Sequence, residues 1–203
     1  MNNLGPLTSL LGMEIQGHRP TRIVHLSQQP YIDIILERHG ISDCSQISTP
    51  VDPHVRLHKS PPEHLADSVY QQWYQSAMGS LLFTMIGTRL DITFATSAVI
   101  QYNNNPPASD GTAVCWISRY LNNTSCLGLN YGTGECGGYI NADWGAGEDR
   151  QSIGGYPFCI NRGTLSSTFK KQPSVTYHPR NQNTWHLHWG SKRFYGYKDC
   201  WET

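Results

Sequence analysis

Asn141 and Asp143 stand two apart in the run "INADW", so in a strand both face one side, with Asp143 about 7 Å further along. Oxygen atoms of this kind are what hard divalent cations prefer. A lone acid at a strand end is more simply a solvated or turn-capping group, because a metal ligand has a short reach. A second arrangement is His178 with the alternating His186 and His188, which in a strand would share a face and offer imidazole nitrogens to a metal. A third is basic: Arg89, Arg119, Lys170 and Lys171, with Tyr102 and Tyr120 as aromatic partners, have the side chains of a nucleic-acid surface. Against it, Lys+Arg and Asp+Glu are 15 each, so no global field draws a polyanion. No nucleophile–base arrangement for acyl transfer emerges, since the chain has no G-x-S-x-G elbow.

The cysteines, Cys44, Cys115, Cys126, Cys136, Cys159 and Cys200, include no C-x-x-C pair. Zinc-ribbon and thioredoxin-like readings therefore lose their basis, and reduced structural thiols are expected. Met1 to Gly12 carries Leu4, Leu7, Leu10 and Leu11 but neither the basic start nor the long apolar core of a signal peptide. The overlapping sequons at Asn122-Asn123-Thr124-Ser125 are then chance matches. Ala77 to Ile100 is the most apolar stretch, and Arg89 and Asp91 interrupt it, which argues against a membrane span. The expectation is a soluble, intracellular chain of the cytoplasm or nucleus, not secreted, with no membrane partner and no small-molecule substrate indicated.

The elements that must position these groups follow from period and punctuation. "LTSLLGMEI" and "TRIVHLS", separated by the breaker "QGHRP", read as a β-hairpin. "SQQPYIDIILERHGI" reads as a helix with Ser27 as N-cap, Gly40 at the C-terminal stop, and Tyr31, Ile34, Ile35 and Arg38 on one face. "STPVDPHVRLHKSPPEH", with four prolines, reads as a linker. Helices are expected over "SVYQQWYQSAMGSLLFTMIG", with Val69, Trp73, Ala77, Leu81 and Phe83 facing inward, and over "RLDITFATSAVIQYN", with Ile92, Ala95 and Val99 inward. "TAVCWISRYLNN" reads as a third. "LGLNYG", "GGYINADW", "GGYPFCINRG" and "TLSSTFKKQ" then suggest a four-stranded antiparallel meander.

From about Leu4 to Val175 these segments, above all "LLGMEI", "GTRLDITFA", "DGTAVCWISRYL" and "INADW", resemble in order and spacing the end of the copia-type retrotransposon polyprotein. That region carries the last part of the reverse transcriptase and the ribonuclease H domain. The resemblance implies an α+β chain in five parts. Residues 1–49 would be the primer-grip-like hairpin and thumb-like helix, 50–67 a Pro-rich linker and 68–125 a helical connection. A partial ribonuclease H-like sheet would occupy 126–176, and 177–203 a tail. It also implies an RNA–DNA hybrid or DNA as partner, with Gly12 and Glu14 in the primer-gripping hairpin. In that family two magnesium or manganese ions are held by converging carboxylates.

This chain departs from the pattern. The first carboxylate of the family's D-A-D-W is Asn141 here, which implies that no metal is bound productively and leaves Asp143 as a weak candidate. The helix that in the family starts His-Trp and carries Lys-Arg has Asp110, Gly111, Cys115 and Trp116 in those places. Leu90 replaces a proline. The family's Tyr-x-Asp-Asp polymerase turn is not in the sequence, so no polymerisation is expected. After "KKQPSV" the family continues into a helix bearing a catalytic Glu, whereas this chain has "TYHPRNQNTWHLHWGSKRFYG", with no apolar period. Re-spelled one nucleotide earlier, that tail can read L-S-S-T-E-P-E-Y-M-A-L. The G ending the Trp185 codon followed by the first two bases of His186 must spell Ala. The tail 177–203 is therefore expected to be the family helix out of frame, disordered in the protein, with its histidines accidental. The expected function is that of a catalytically inactive polyprotein fragment, the alternative a hybrid-binding module without catalysis.

Overall fold

The computed structural model describes residues 5–42, 44–52, 57, 67–134, 137–139, 141–142, 153–161 and 163–171. The tail 177–203, most of the Pro-rich linker and Asp143 lie outside the described residues. The chain divides into two compact units, Met1–His18 with Val24–Leu129, and Arg19–Ile23 with Asn130–Thr203.

The first sheet has the order β1-β2-β3-β4, with β1 Ser9–Leu10, β2 Met13–His18, β3 Ile23–Ser27 and β4 Leu129–Tyr131. β1 and β2 are antiparallel, and Leu10 pairs with Met13. That leaves Leu11 and Gly12 as a two-residue turn, both at positive φ (51° and 76°), as the twist of a tight hairpin demands. The strand in "LGLNYG" thus joins the N-terminal hairpin strands rather than the later meander. The sequence could not show this, because alternation marks a strand without naming its neighbour.

Helix α1, Gln29–Arg38, has Pro30 in its first turn, and Ser27 Oγ accepts from Gln29 N at 3.1 Å. It ends where Gly40 adopts φ +68°. Gly40 N donates to Glu37 O at 3.0 Å and Ile41 N to Leu36 O at 2.9 Å, the paired bonds of a Schellman stop. Its buried face is Ile32, Ile35 and Leu36, while Ile34 is 52 % exposed. The inward stripe is therefore rotated from the expected Tyr31, Ile34, Ile35 and Arg38; Tyr31 meets the Phe83 ring edge-on at 4.8 Å instead. His39 caps this end half-buried, its ring edge-on to Trp73 at 6.2 Å, and Nε2 has no hydrogen-bond partner among the described residues. Burial, aided by the Arg38 charge, holds its pKa below 6.5. The unfolded chain therefore binds this proton more readily than the folded one. Stability should be unaffected by this group above pH 6.5, fall as pH drops from there through the depressed folded value, and then level off. Thermal melts of wild type and His39→Gln over that window should show the slope in the first and its loss in the second.

Helix α2, Ser68–Gly87, runs over the expected span. Tyr74, Ala77, Met78 and Leu81 point inward, while Val69 is 70 % and Phe83 42 % exposed. The expected stripe erred because this helix is apolar nearly all round, so periodicity has little contrast to report. A 3-10 turn at Leu90–Ile92, α3 at Thr93–Val99 and a second 3-10 turn at Ile100–Tyr102 replace one continuous helix. Ile92, Ala95 and Val99 are buried as expected. α4, Ala108–Asn123, adds Val114, Ile117 and Leu121 to the core shared by α1, α2 and α3.

In the second unit, β5 Gly137–Gly138, β6 Asn141–Ala142, β7 Ile153–Ile160 and β8 Gly163–Lys171 form an antiparallel sheet with β7 in the middle. Gly137 pairs with Cys159, Gly138 with Phe158, Asn141 with Gly155 and Ala142 with Gly154. These pairs keep one register, so β5 and β6 are the two ends of a single interrupted strand along one edge of β7. β8 pairs along the other edge, with a shift of register between Phe158 and Cys159. The meander expected over these three segments is present, without "LGLNYG". Two of its glycines lie under rings. A Cβ on Gly155 would stand 2.8 Å from Phe169 Cε1, and one on Gly138 would stand 2.9 Å from Phe158 Cδ1. Cross-strand aromatic cover of this kind offsets the weak packing of glycine in a strand.

Candidate functional site

Asn141 sits in β6, in one cross-strand row with Gly155 and Phe169. Neighbouring strands supply no acid to that row, since the two positions are a glycine and an aromatic residue. Among the described residues no group of three or more His, Cys, Asp and Glu could hold a metal ion. Asp143, His178, His186 and His188 lie outside the described residues. In donor chemistry, the neutral amide of Asn141 does not fit a pair of hard dications, which need anionic oxygen to offset their charge.

Arg89 is not on the surface. It is 1 % exposed, between the end of α2 and the 3-10 turn. Its Nε donates to Asp91 Oδ1 at 3.0 Å and its Nη2 to Oδ2 at 2.7 Å. Nη1 donates to the Thr124 carbonyl at 2.7 Å, and Nη2 also reaches Thr124 Oγ1. Tyr120 completes the node: its ring lies 5.5 Å from the guanidinium carbon, and its hydroxyl donates to Asp91 Oδ2 at 2.7 Å. Burial pushes the Asp91 carboxyl up, but the Arg89 bonds and charge outweigh it and hold the pKa below 3.8. Arg89 ties the α2–α3 junction to the C-terminal end of α4, where a cation also meets the free carbonyls and helix dipole. As a phosphate contact it is corrected: it could reach a phosphate only by leaving this buried ion pair.

The two residues before it belong to the same construction. Thr88 Oγ1 donates to Gln28 Oε1 at 2.9 Å, and a Cβ on Gly87 would stand 2.4 Å from that oxygen. Gln28 is fully buried. The "GTRLD" run is thus a packing and hydrogen-bonding joint, with Gly87 leaving room for Gln28, Thr88 binding it, and Arg89 and Asp91 holding α4. Nothing in the sequence linked Gln28 to a segment some 60 residues away.

Arg119 is occupied as well. Its Nε donates to the Ser45 carbonyl at 2.6 Å, its Nη2 contacts Ser45 Oγ, and its guanidinium lies 5.5 Å from the centre of the Trp116 ring. Trp116 Nε1 donates to Thr49 O at 2.9 Å, Asn122 Nδ2 to Ser42 O at 3.0 Å and Asn123 Nδ2 to Ile47 O at 3.1 Å. Side chains of α4 thereby hold Ser42, Ser45, Ile47 and Thr49, whose carbonyls have no strand to pair with. Trp116, at a place where basic residues were expected by resemblance, serves this attachment. Gly111 likewise has a packing role, since a Cβ there would stand 2.6 Å from the Tyr70 hydroxyl, which donates to Pro107 O at 3.0 Å.

Of the remaining expected residues, Lys170 is exposed on β8 and Lys171 ends that strand. Gly12 is at the hairpin tip, and Glu14 accepts from Gln16 Nε2 at 3.0 Å. Tyr102 follows α3 in the second 3-10 turn. Of the expected basic residues of the helical unit, Arg89 is buried and the half-buried Arg119 is bonded to Ser45. A cavity of about 50 Å³ lies between residues 50–52, Leu57, α3 and α4, lined by Val51, Leu57, Ala95, Trp116 and Ile117 among others. It is too small for a substrate, as ligand pockets run to about 300 Å³ or more. No helix among the described residues is long and apolar enough to cross a membrane.

The chain is 36% identical over 181 residues to the retrovirus-related Pol polyprotein from transposon TNT 1-94 of Nicotiana tabacum, a match covering 86% of this chain and 14% of that protein. It is 30% identical over 165 residues to the corresponding polyprotein from transposon RE1 of Arabidopsis thaliana, covering 79% of this chain and 11% of the relative. A match of 37% identity over 106 residues, half of this chain and 75% of the relative, is to secreted RxLR effector protein 161 of Plasmopara viticola. No family model matches the chain. No solved structure matches it either. The chain thus spans about one seventh of the tobacco polyprotein's length.

Proposed function

We propose, from the premise that this chain is a homologue of the retrovirus-related Pol polyproteins of plant transposons, that it corresponds to their reverse transcriptase–ribonuclease H region and is catalytically silent. The observation that carries the reading is the replacement of the first metal-ligating carboxylate by Asn141 in a chain otherwise similar along most of its length. The hairpin, the helical core and the glycine-rich antiparallel sheet are compatible with a thumb and connection followed by part of a ribonuclease H sheet. The absence of apolar period after Val175 adds to it, since a shifted reading frame keeps nucleotide bias and destroys amphipathic spacing.

Arg89 and Arg119 weigh against a free-standing hybrid-binding module. A groove that tracks a polyanion needs several basic side chains turned to solvent, and these two are committed to Asp91, Thr124 and Ser45. The test is the genomic sequence. In the frame offset by one nucleotide from codon 176 onward it should encode the helix L-S-S-T-E-P-E-Y. A region whose shifted frame encodes nothing of that helix would make the tail a genuine element and remove the account of how activity was lost.

A further inference from the structure

Ser42, Ser45, Ser48 and Thr49 are all exposed and lie in neither helix nor strand, yet their hydroxyls have different surroundings. Asn122 reaches Ser42 only through its carbonyl. Thr49 Oγ1 donates to Val51 O at 3.2 Å. At Ser45 the hydroxyl itself meets a cation: Arg119 Nη2 donates to Ser45 Oγ, while Nε donates to the carbonyl of the same residue at 2.6 Å. Among the described residues none of the other hydroxyls in this group touches a charged side chain. The guanidinium is also held in place. Its central carbon lies 5.5 Å from the centre of the Trp116 ring, and Trp116 is anchored in turn by Nε1 donating to Thr49 O at 2.9 Å. A carbonyl, a hydroxyl and a ring are uncharged partners, so the fork keeps further N–H donors for anionic oxygen, which it binds more strongly than any of them.

We propose that Ser45 is a phosphorylation site whose phosphate is received by Arg119, turning a neutral contact into an ion pair that clasps Ser45 to α4. The step is phosphoryl transfer by a protein kinase. Ser45 Oγ bonds to the γ-phosphorus of a nucleoside triphosphate, the bond from that phosphorus to the β,γ-bridging oxygen breaks, and a nucleoside diphosphate leaves. The hydroxyl proton passes to the base of the kinase. Ser45 is open to such an enzyme because it is exposed and outside any helix or strand. The product carries about two negative charges and new acceptor oxygens, and a fork already aimed at Oγ meets them without any change in α4. The guanidinium favours the dianion, so the second phosphate ionisation should fall below its ordinary value of about 6. The clasp belongs to the helical unit and stands whether or not the chain is catalytically silent.

The test uses the full chain with phosphoserine encoded at position 45, beside a second chain with it encoded at position 48. Titration followed by phosphorus NMR should give a lower midpoint at 45 than at 48. Arg119→Gln should raise the first to the level of the second and leave the second where it was. Proteolysis between Cys44 and Gln46 should slow several-fold when position 45 carries phosphate, and the protection should fade in high salt. Equal midpoints at the two positions, or a midpoint at 45 indifferent to Arg119→Gln, would overturn the clasp; the comparison of 45 with 48 needs no Arg119 variant and so survives one that fails to fold. The modification itself is read by incubating the unmodified chain with ATP, magnesium and a eukaryotic cell extract, then mapping phosphopeptides. Phosphate on Ser45 is the expected result, and a Ser45 left bare would overturn it as a kinase site.

Discussion

Asp91→Ala should destabilise the chain more than Arg89→Met does, by urea denaturation about 3–5 kcal/mol against about 2–3 kcal/mol. The asymmetry comes from where each charge sits. Arg89 is 1 % exposed and the Asp91 side chain 36 %. Removing the carboxylate strands a guanidinium in the interior with only the Thr124 oxygens and the Tyr120 ring for company. Removing the guanidinium leaves an anion that water can reach, and Met refills most of the volume of the arginine stem. What remains is chiefly the unpaired Thr124 carbonyl, a cost of about 1–3 kcal/mol for a buried group. A double variant should lose less than the two single losses added together, since the second change removes a charge already left without its partner.

The same pair sets an acid limit. The folded-state pKa of Asp91 is depressed below 3.8. Its contribution is therefore fully present above that value and is lost as pH falls through the folded value. Arg89→Met should flatten this part of the pH–stability curve and leave the His39 slope, which begins near pH 6.5, in place. A chain in which Arg89→Met is the costlier change would mean that the carboxylate, not the guanidinium, bears the desolvation.

Much of the helical unit was legible because its boundaries are written in local chemistry. Gly40 marks the stop of α1 by its need for φ +68°, and α2 begins and ends where apolar content and flanking breakers put it. Faces were less legible. On α1 the run Tyr31-Ile32-Asp33-Ile34-Ile35-Leu36 offers two overlapping stripes, and only the position of the other helices chooses between Ile34 and Leu36. Roles of polar residues were least legible of all. An arginine beside an aspartate two residues on reads equally as a surface cation or as a buried pair, and the partners that decide it, Thr124 and Tyr120, are about 30 residues distant. Asn141 stands apart, because the expectation attached to it rests on resemblance and on the donor atoms a hard cation requires, and packing has no part in it.

The chain should not cleave the RNA strand of an RNA–DNA hybrid in magnesium or in manganese. Two divalent ions about 4 Å apart repel by roughly 16 kcal/mol at an effective dielectric constant near 20, four times the figure for unit charges. Converging carboxylates offset that repulsion, and an amide at position 141 brings no charge toward doing so. Asp143 is one carboxylate, and the Glu-bearing helix implied by resemblance is replaced by the tail after Val175. Asn141→Asp alone should consequently restore nothing measurable. Replacing the residues after Val175 by the helix that the resemblance implies, together with Asn141→Asp, should recover metal-dependent cleavage. The decisive comparison is hybrid hydrolysis, followed by release of labelled RNA fragments, for the unmodified chain and for Asp143→Asn. Cleavage by the first that is abolished in the second would make Asp143 a working ligand and Asn141 an adequate partner for it, and the reading of a silent fragment would fall.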